Sequence, residues 1–105
     1  MKAHILSCAV LLGVSVVPAF AGAAEGKDLY ASKCKSCHGE SGQGNPGIAK
    51  MMKVELRPLG SKEVQGMSDA DLKKVITEGK GKMKAVAGLS AKQVDDVVAF
   101  VRTLK

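Results

Sequence analysis

Two thiols and an imidazole lie within five residues: Cys34-Lys35-Ser36-Cys37-His38. C-x-x-C-H is the attachment spacing of a c-type haem. Residues at i, i+3 and i+4 share one face of a helical turn. Thiols placed this way can each add to a vinyl group of the macrocycle as thioethers, and the imidazole then sits beneath the ring as an iron ligand. The competing chemistries are a thiol redox pair and half of a zinc site. A zinc site asks for a second ligand pair, but no cysteine follows Cys37 and the other histidine is His4. A thioredoxin-like site asks for alternating strand and helix patterns, which the flanking residues lack. Covalent haem is the reading that survives.

A haem iron held by one histidine has a second face to be filled or left open. Once His4 is set aside in the leader described below, bis-histidine ligation within the chain is excluded. Met51, Met52, Met67 and Met83 are the remaining thioethers. A methionine is more often core filler than ligand, so each needs a reason. Met67 precedes a helix cap and has the position of a hydrophobic staple with Leu72. Met51 and Met52 follow the motif closely, in a segment suited to lining a pocket. Met83 lies in a glycine-rich loop between Lys82 and Lys84, where no amphipathic pattern accounts for an apolar side chain. His38 and Met83 are therefore assigned as the axial iron ligands. The Pro46 carbonyl is expected to accept the Nδ1 proton of His38, because a ligating histidine usually donates from its other nitrogen.

The first residues read as an address. Lys2 and His4 give a polar start, Ile5 to Val17 is apolar, and small residues follow. The run is too short to span a bilayer comfortably and reads as a secretory signal peptide over residues 1–23. Ala19-Phe20-Ala21 and Ala21-Gly22-Ala23 both offer cleavage sites. Cys8 comes too early in the apolar run for a lipoprotein box. The remaining domain, residues 24–105, has about 80 residues, too few to bury a large core unaided. Tyr30 and Phe100 are its aromatics, and there is no tryptophan. A large, mostly apolar prosthetic group would complete such an interior. The net charge of +6 could serve nucleic acid, but no arginine-rich segment supports this and export opposes it. Steering toward acidic protein partners, with at most peripheral membrane contact, is the better reading.

The motif needs elements to hold it. Gly26 to Cys34 reads as a short helix, with Gly26, Tyr30 and Cys34 on one face. An internal glycine costs about 1 kcal/mol against alanine, so a packing reason is expected. Gly39 to Gly47 reads as a loop. Ile48 to Gly66 is interrupted by Pro58 and Gly60, with a helical turn near Ala49–Lys53. Ser68 to Glu78 is a helix capped by Ser68, with Asp69 and Asp71 in its first turn and a Leu72, Val75, Ile76 stripe. Gly79 ends it. Gly79 to Gly88 is a basic loop. Ser90 to Leu104 is the last helix, opened by a Ser90/Gln93 capping box and buried along Val94, Val97, Val98, Val101 and Leu104.

Taken in order, these residues resemble a class I c-type cytochrome of the small bacterial or photosynthetic monohaem group. The resemblance is carried by GKDLYASKCKSCHG at 26–39, GQGNP at 42–46, SDADL at 68–72, GKGKM at 79–83 and VAFVRTL at 98–104. It implies an all-α fold of about four short helices wrapped round one covalently bound haem, with Cys34 and Cys37 as thioethers and His/Met ligation by His38 and Met83. It also implies that the first and last helices cross in contact, with Gly26 and Tyr30 meeting Phe100. That group often has proline directly after the ligand methionine, where this chain has Lys84.

The function expected is that of a soluble, monomeric, periplasmic electron carrier (lumenal in a photosynthetic source). It is not expected to be an enzyme. Lys80, Lys82 and Lys84 near the ligand loop, with Lys33 and Lys35 near the motif, would form a basic collar for redox partners with acidic docking surfaces. Two rivals stand beside it: an electron-accepting cytochrome subunit of a dehydrogenase complex, and a five-coordinate haem sensor or enzyme.

Overall fold

A computed structural model describes residues 22–105. The expected leader lies outside these residues except for Gly22 and Ala23. Six helices follow one another: α1 (Ala23–Lys33), α2 (Lys35–His38), α3 (Pro46–Met52), α4 (Lys62–Gln65), α5 (Asp69–Glu78) and α6 (Ala91–Arg102). The all-α expectation holds. The count exceeds four because α2 and α4 are single turns of four residues each.

Packing of α1 on α6 is the framework. Gly26 faces the α6 backbone: a Cβ there would overlap the Asp96 carbonyl and stand 3.0 Å from Phe100 Cβ. This close approach is the reason for the glycine. One turn on, Tyr30 is 2% exposed, and its ring lies 5.0 Å from that of Phe100 at 51°. A tilted pair of this kind adds about 1 kcal/mol beyond area burial. Val94, Val97, Val98 and Val101 complete the α6 stripe, and Leu72 and Ile76 of α5 close the core. An exposed Lys73–Asp95 ion pair at 2.7 Å joins α5 to α6.

Both long C-terminal helices start on the caps the sequence announces. Ser68 Oγ accepts from Asp71 N, and the Ser90/Gln93 box is closed in both directions. Met67 and Leu89, each directly before a cap, pack against the core. The segment between residues 39 and 66 departs from expectation. Pro46 is the first residue of α3, not part of a turn, and Asn45 caps it by accepting from Gly47 and Ile48 N–H groups. A proline suits that position because its missing N–H would have had no helical partner. The α4 turn was not foreseen. Ser61 caps it, and Gln65 Nε2 then donates to the carbonyls of Leu59 at 2.8 Å and Val101 at 3.0 Å. Arg102 fastens the same region, donating to the Gln65 and Met67 carbonyls and to Asp69 Oδ1.

Candidate haem site

The motif is positioned by the end of α1. Cys34 closes α1 and opens α2, with its own N–H on the Tyr30 carbonyl at 2.8 Å. The N–H groups of Cys37 and His38 both return to the Cys34 carbonyl, at 3.2 and 2.9 Å. The five residues thus form the helical turn that their spacing demands. Gly39 ends it at φ 81°, and the Tyr30 hydroxyl donates to the Gly39 carbonyl at 2.5 Å. The loop then folds back: Gly44 N–H reaches the His38 carbonyl at 2.6 Å, and Asn45 N–H the Cys37 carbonyl at 2.8 Å.

Cys34 is buried, Cys37 half-buried, and both are free thiols. Burial holds the Cys34 thiol above its ordinary pKa. It holds His38 below its ordinary value, so the imidazole is neutral at neutral pH, the form that binds a metal. His38 Nδ1 is buried without a hydrogen-bond partner. The expected bond to the Pro46 carbonyl is absent. Pro46 instead opens α3, and His38 Nδ1 makes no bond to it.

Two adjoining cavities of about 580 and 650 Å³ meet at this turn. Cys34, His38 and Met83 border both, and Cys37 borders the outer one. The inner cavity is walled by Val75 and Ile76 of α5 and Val97, Val98 and Val101 of α6. The outer one carries Lys33, Lys80, Lys82 and Lys84. A neutral imidazole, two free thiols one turn apart and a mostly apolar chamber beside them fit a covalently attached haem.

The methionines separate here. Met51 is 71% exposed and borders neither cavity, against the expectation that it lines the pocket. Met52 borders the outer cavity and Met67 the inner one. Met83 borders both, from an element other than the one carrying His38. Its loop is set by backbone bonds: Lys80 N to Met83 O and Met83 N to Lys80 O, both 3.0 Å. Gly81, at φ 57°, supplies the left-handed position of that tight turn. Val86 N–H reaches the Ile76 carbonyl at 2.8 Å, pinning the far end of the loop to α5. Lys82 Nζ donates to the Met52 carbonyl at 2.5 Å, clasping the loop to α3. Lys82, though exposed, is therefore partly committed to an intramolecular bond. Lys35 is exposed but does not line either cavity.

Glu55 and Leu56 border both cavities and were missed in the sequence. Their irregular segment has no periodicity to mark a face. The Tyr30 hydroxyl was also missed, since its partner depends on how the turn after His38 closes.

Comparison with known proteins agrees with this fold. Residues 21–101 match the family described as cytochrome c oxidase, cbb3-type, subunit III. The chain is 37% identical over 91 residues to cytochrome c-554(547) of Halothiobacillus neapolitanus, covering 79% of this chain and 97% of that protein. The solved structure of the KustC0563 c-type cytochrome superposes with a TM-score of 0.65 at 29% identity, covering 76% of this chain and 96% of the other.

Proposed function

The chain belongs to the class I c-type cytochromes, and from that premise we propose a soluble periplasmic electron carrier with His38 and Met83 as axial ligands and Cys34 and Cys37 as thioethers. The observation that carries this reading is the shared border: Cys34, His38 and Met83, from two separate elements, line the same pair of cavities.

A haem bound there supplies a one-electron iron couple, which Met/His ligation places at higher potential than bis-histidine ligation. The protein's part is positioning and solvation. The α2 turn holds both sulfurs and the imidazole in one orientation. The Lys80–Met83 turn, clasped to α3 by Lys82, presents the thioether. Valines and isoleucine of α5 and α6 keep water from the inner cavity and so disfavour the more highly charged oxidised state. Little has to move for each electron. Exposed Lys80 and Lys84, with Lys33 across the cavity mouth, give positive charge where an acidic partner would dock. Such steering raises association rates and fades with salt. Among the described residues no helix is long and apolar enough to cross a membrane. The protein is read as a monomeric carrier with no enzymatic activity of its own.

An optical and redox titration of exported holoprotein tests the ligand set. A low-spin, six-coordinate haem is expected in both states, with no rapid carbon monoxide binding. Met83→Ala should lower the potential and open the ferrous iron to carbon monoxide while leaving helix content unchanged. A high-spin ferric haem in the parent protein, or an unaltered potential in Met83→Ala, would overturn the assignment. The matched family's description favours a second reading, a subunit held in a larger redox complex. Co-purification with a stoichiometric partner that survives high salt would support it over the free carrier.

A further inference from the structure

Among the described residues, Asp96 is the buried charged side chain, 2% exposed. It lies on α6 at the crossing with the start of α1. A carboxylate in such a place needs donors at both oxygens. Lys92, one turn earlier, lies 3.0 Å from Oδ2 and 3.4 Å from Oδ1. The short bond to Oδ1 comes from elsewhere: the main-chain nitrogen of Gly22, at 2.7 Å and 74 positions away.

Gly22 does more than this. It is the N-cap of α1, and its carbonyl accepts the Gly26 N–H at 2.8 Å. The Glu25 carboxylate lies against its Cα, so that any side chain at 22 would collide with it unless Glu25 moved. The two small-residue motifs allow a cut before Gly22 or a cut two residues later. The motifs alone do not choose. A cut after Ala23 would remove the Oδ1 donor, the α1 cap and the first helical residue together. Asp96 would then depend on Lys92, whose side chain is 76% exposed.

We propose that the exported chain is cut between Ala21 and Gly22, and that the released α-ammonium of Gly22 closes on the buried Asp96 carboxylate, fastening the mature N-terminus to α6. The inference rests on the export reading given above. An export peptidase would hydrolyse this bond with one water, hydroxyl going to the Ala21 carbonyl and hydrogen to the Gly22 nitrogen. The amine then takes a proton at neutral pH. A single neutral amide donor becomes a charged group with three, facing a carboxylate, with Glu25 and Lys92 as charged neighbours. Processing and completion of the α1–α6 crossing are then one event.

The test uses full-length chain matured to exported holoprotein. Its intact mass should be that of residues 22–105 plus one haem, with Gly22 first. A haem-bearing chain starting at Ala24 or elsewhere would overturn the assignment and leave export standing. A haem-bearing chain that keeps residues 1–21 would overturn the cut and the soluble carrier together. The ion pair is read on the parent protein by amine labelling against pH. The Gly22 amine should titrate about one unit above the ordinary α-amino range, making labelling at neutral pH about tenfold slower than for a free terminus. Asp96→Asn should restore the ordinary rate. An ordinary titration in the parent protein would overturn the pair whether or not the variant folds.

Discussion

The α1–α6 crossing and the 79–88 loop are held by different means. At the crossing, packed side chains hold. Gly26 allows backbone contact, Tyr30 meets Phe100, and four valines of α6 fill the seam. In the loop, backbone bonds hold. A two-residue turn, one left-handed glycine and a lysine on a carbonyl present a half-exposed Met83. The crossing tolerates no added atoms and should set global stability. Away from Gly79, where a Cβ would stand 2.5 Å from the Met83 carbonyl oxygen, and from left-handed Gly81, the loop tolerates changed side chains; it should set the iron's sixth position. A fold of this size can thus keep its framework while its ligand face varies.

Gly26→Val should break the comparison at its strongest point. Driving a branched side chain into the Asp96 carbonyl and Phe100 should cost at least about 3 kcal/mol, read as a large fall in denaturation midpoint and in holoprotein yield. A parental midpoint would mean that the crossing is looser than described.

Tyr30→Phe sharpens it. Burial above all, with the Cys34 sulfur beside it, pushes the Tyr30 hydroxyl up to about 12 from its ordinary 10.0. The folded state therefore holds this proton more tightly than the unfolded chain. That contribution is complete below pH 10 and is lost as pH rises toward 12. The loss over the window is about 2–3 kcal/mol. Urea titrations at pH 9, 10 and 11 should show a steeper decline for the parent than for the phenylalanine variant, and matching slopes would refute the assignment.

The loop should respond on a smaller scale. Gly81→Val forces a branched residue to φ 57°, at a cost of about 1–2 kcal/mol. Amide exchange at Lys80 and Met83 should quicken about tenfold, with core amides of α6 unchanged. Lys82→Met removes only the clasp to the Met52 carbonyl and should cost about 0.5 kcal/mol, visible as slightly faster exchange in the same loop. Loss of α6 protection in either variant would show that loop and crossing are one unit.

The helices were legible where their signals are local. Ser68 and Ser90 sit within one turn of the groups they cap, so four consecutive residues suffice to place each start. The motif turn was legible for the same reason, and Gly26 could be read as a contact because a costly residue demands one. Residues 46–66 were not. Asn45 draws on Ser36 and on the first turn of α3 together, and Gln65 on Leu59 and Val101. Such partners leave no periodic trace.

By itself the sequence pointed to the haem chemistry, through the spacing of Cys34, Cys37 and His38, and determined the starts of α5 and α6, through their caps. These rest on atoms within a turn of each other. Only the tertiary structure decided which methionines border the cavities, that Pro46 serves α3 and not His38, and that Asp96 meets Gly22. Those outcomes depend on which distant groups burial brings together, and on the donors a buried charge must find when water is gone.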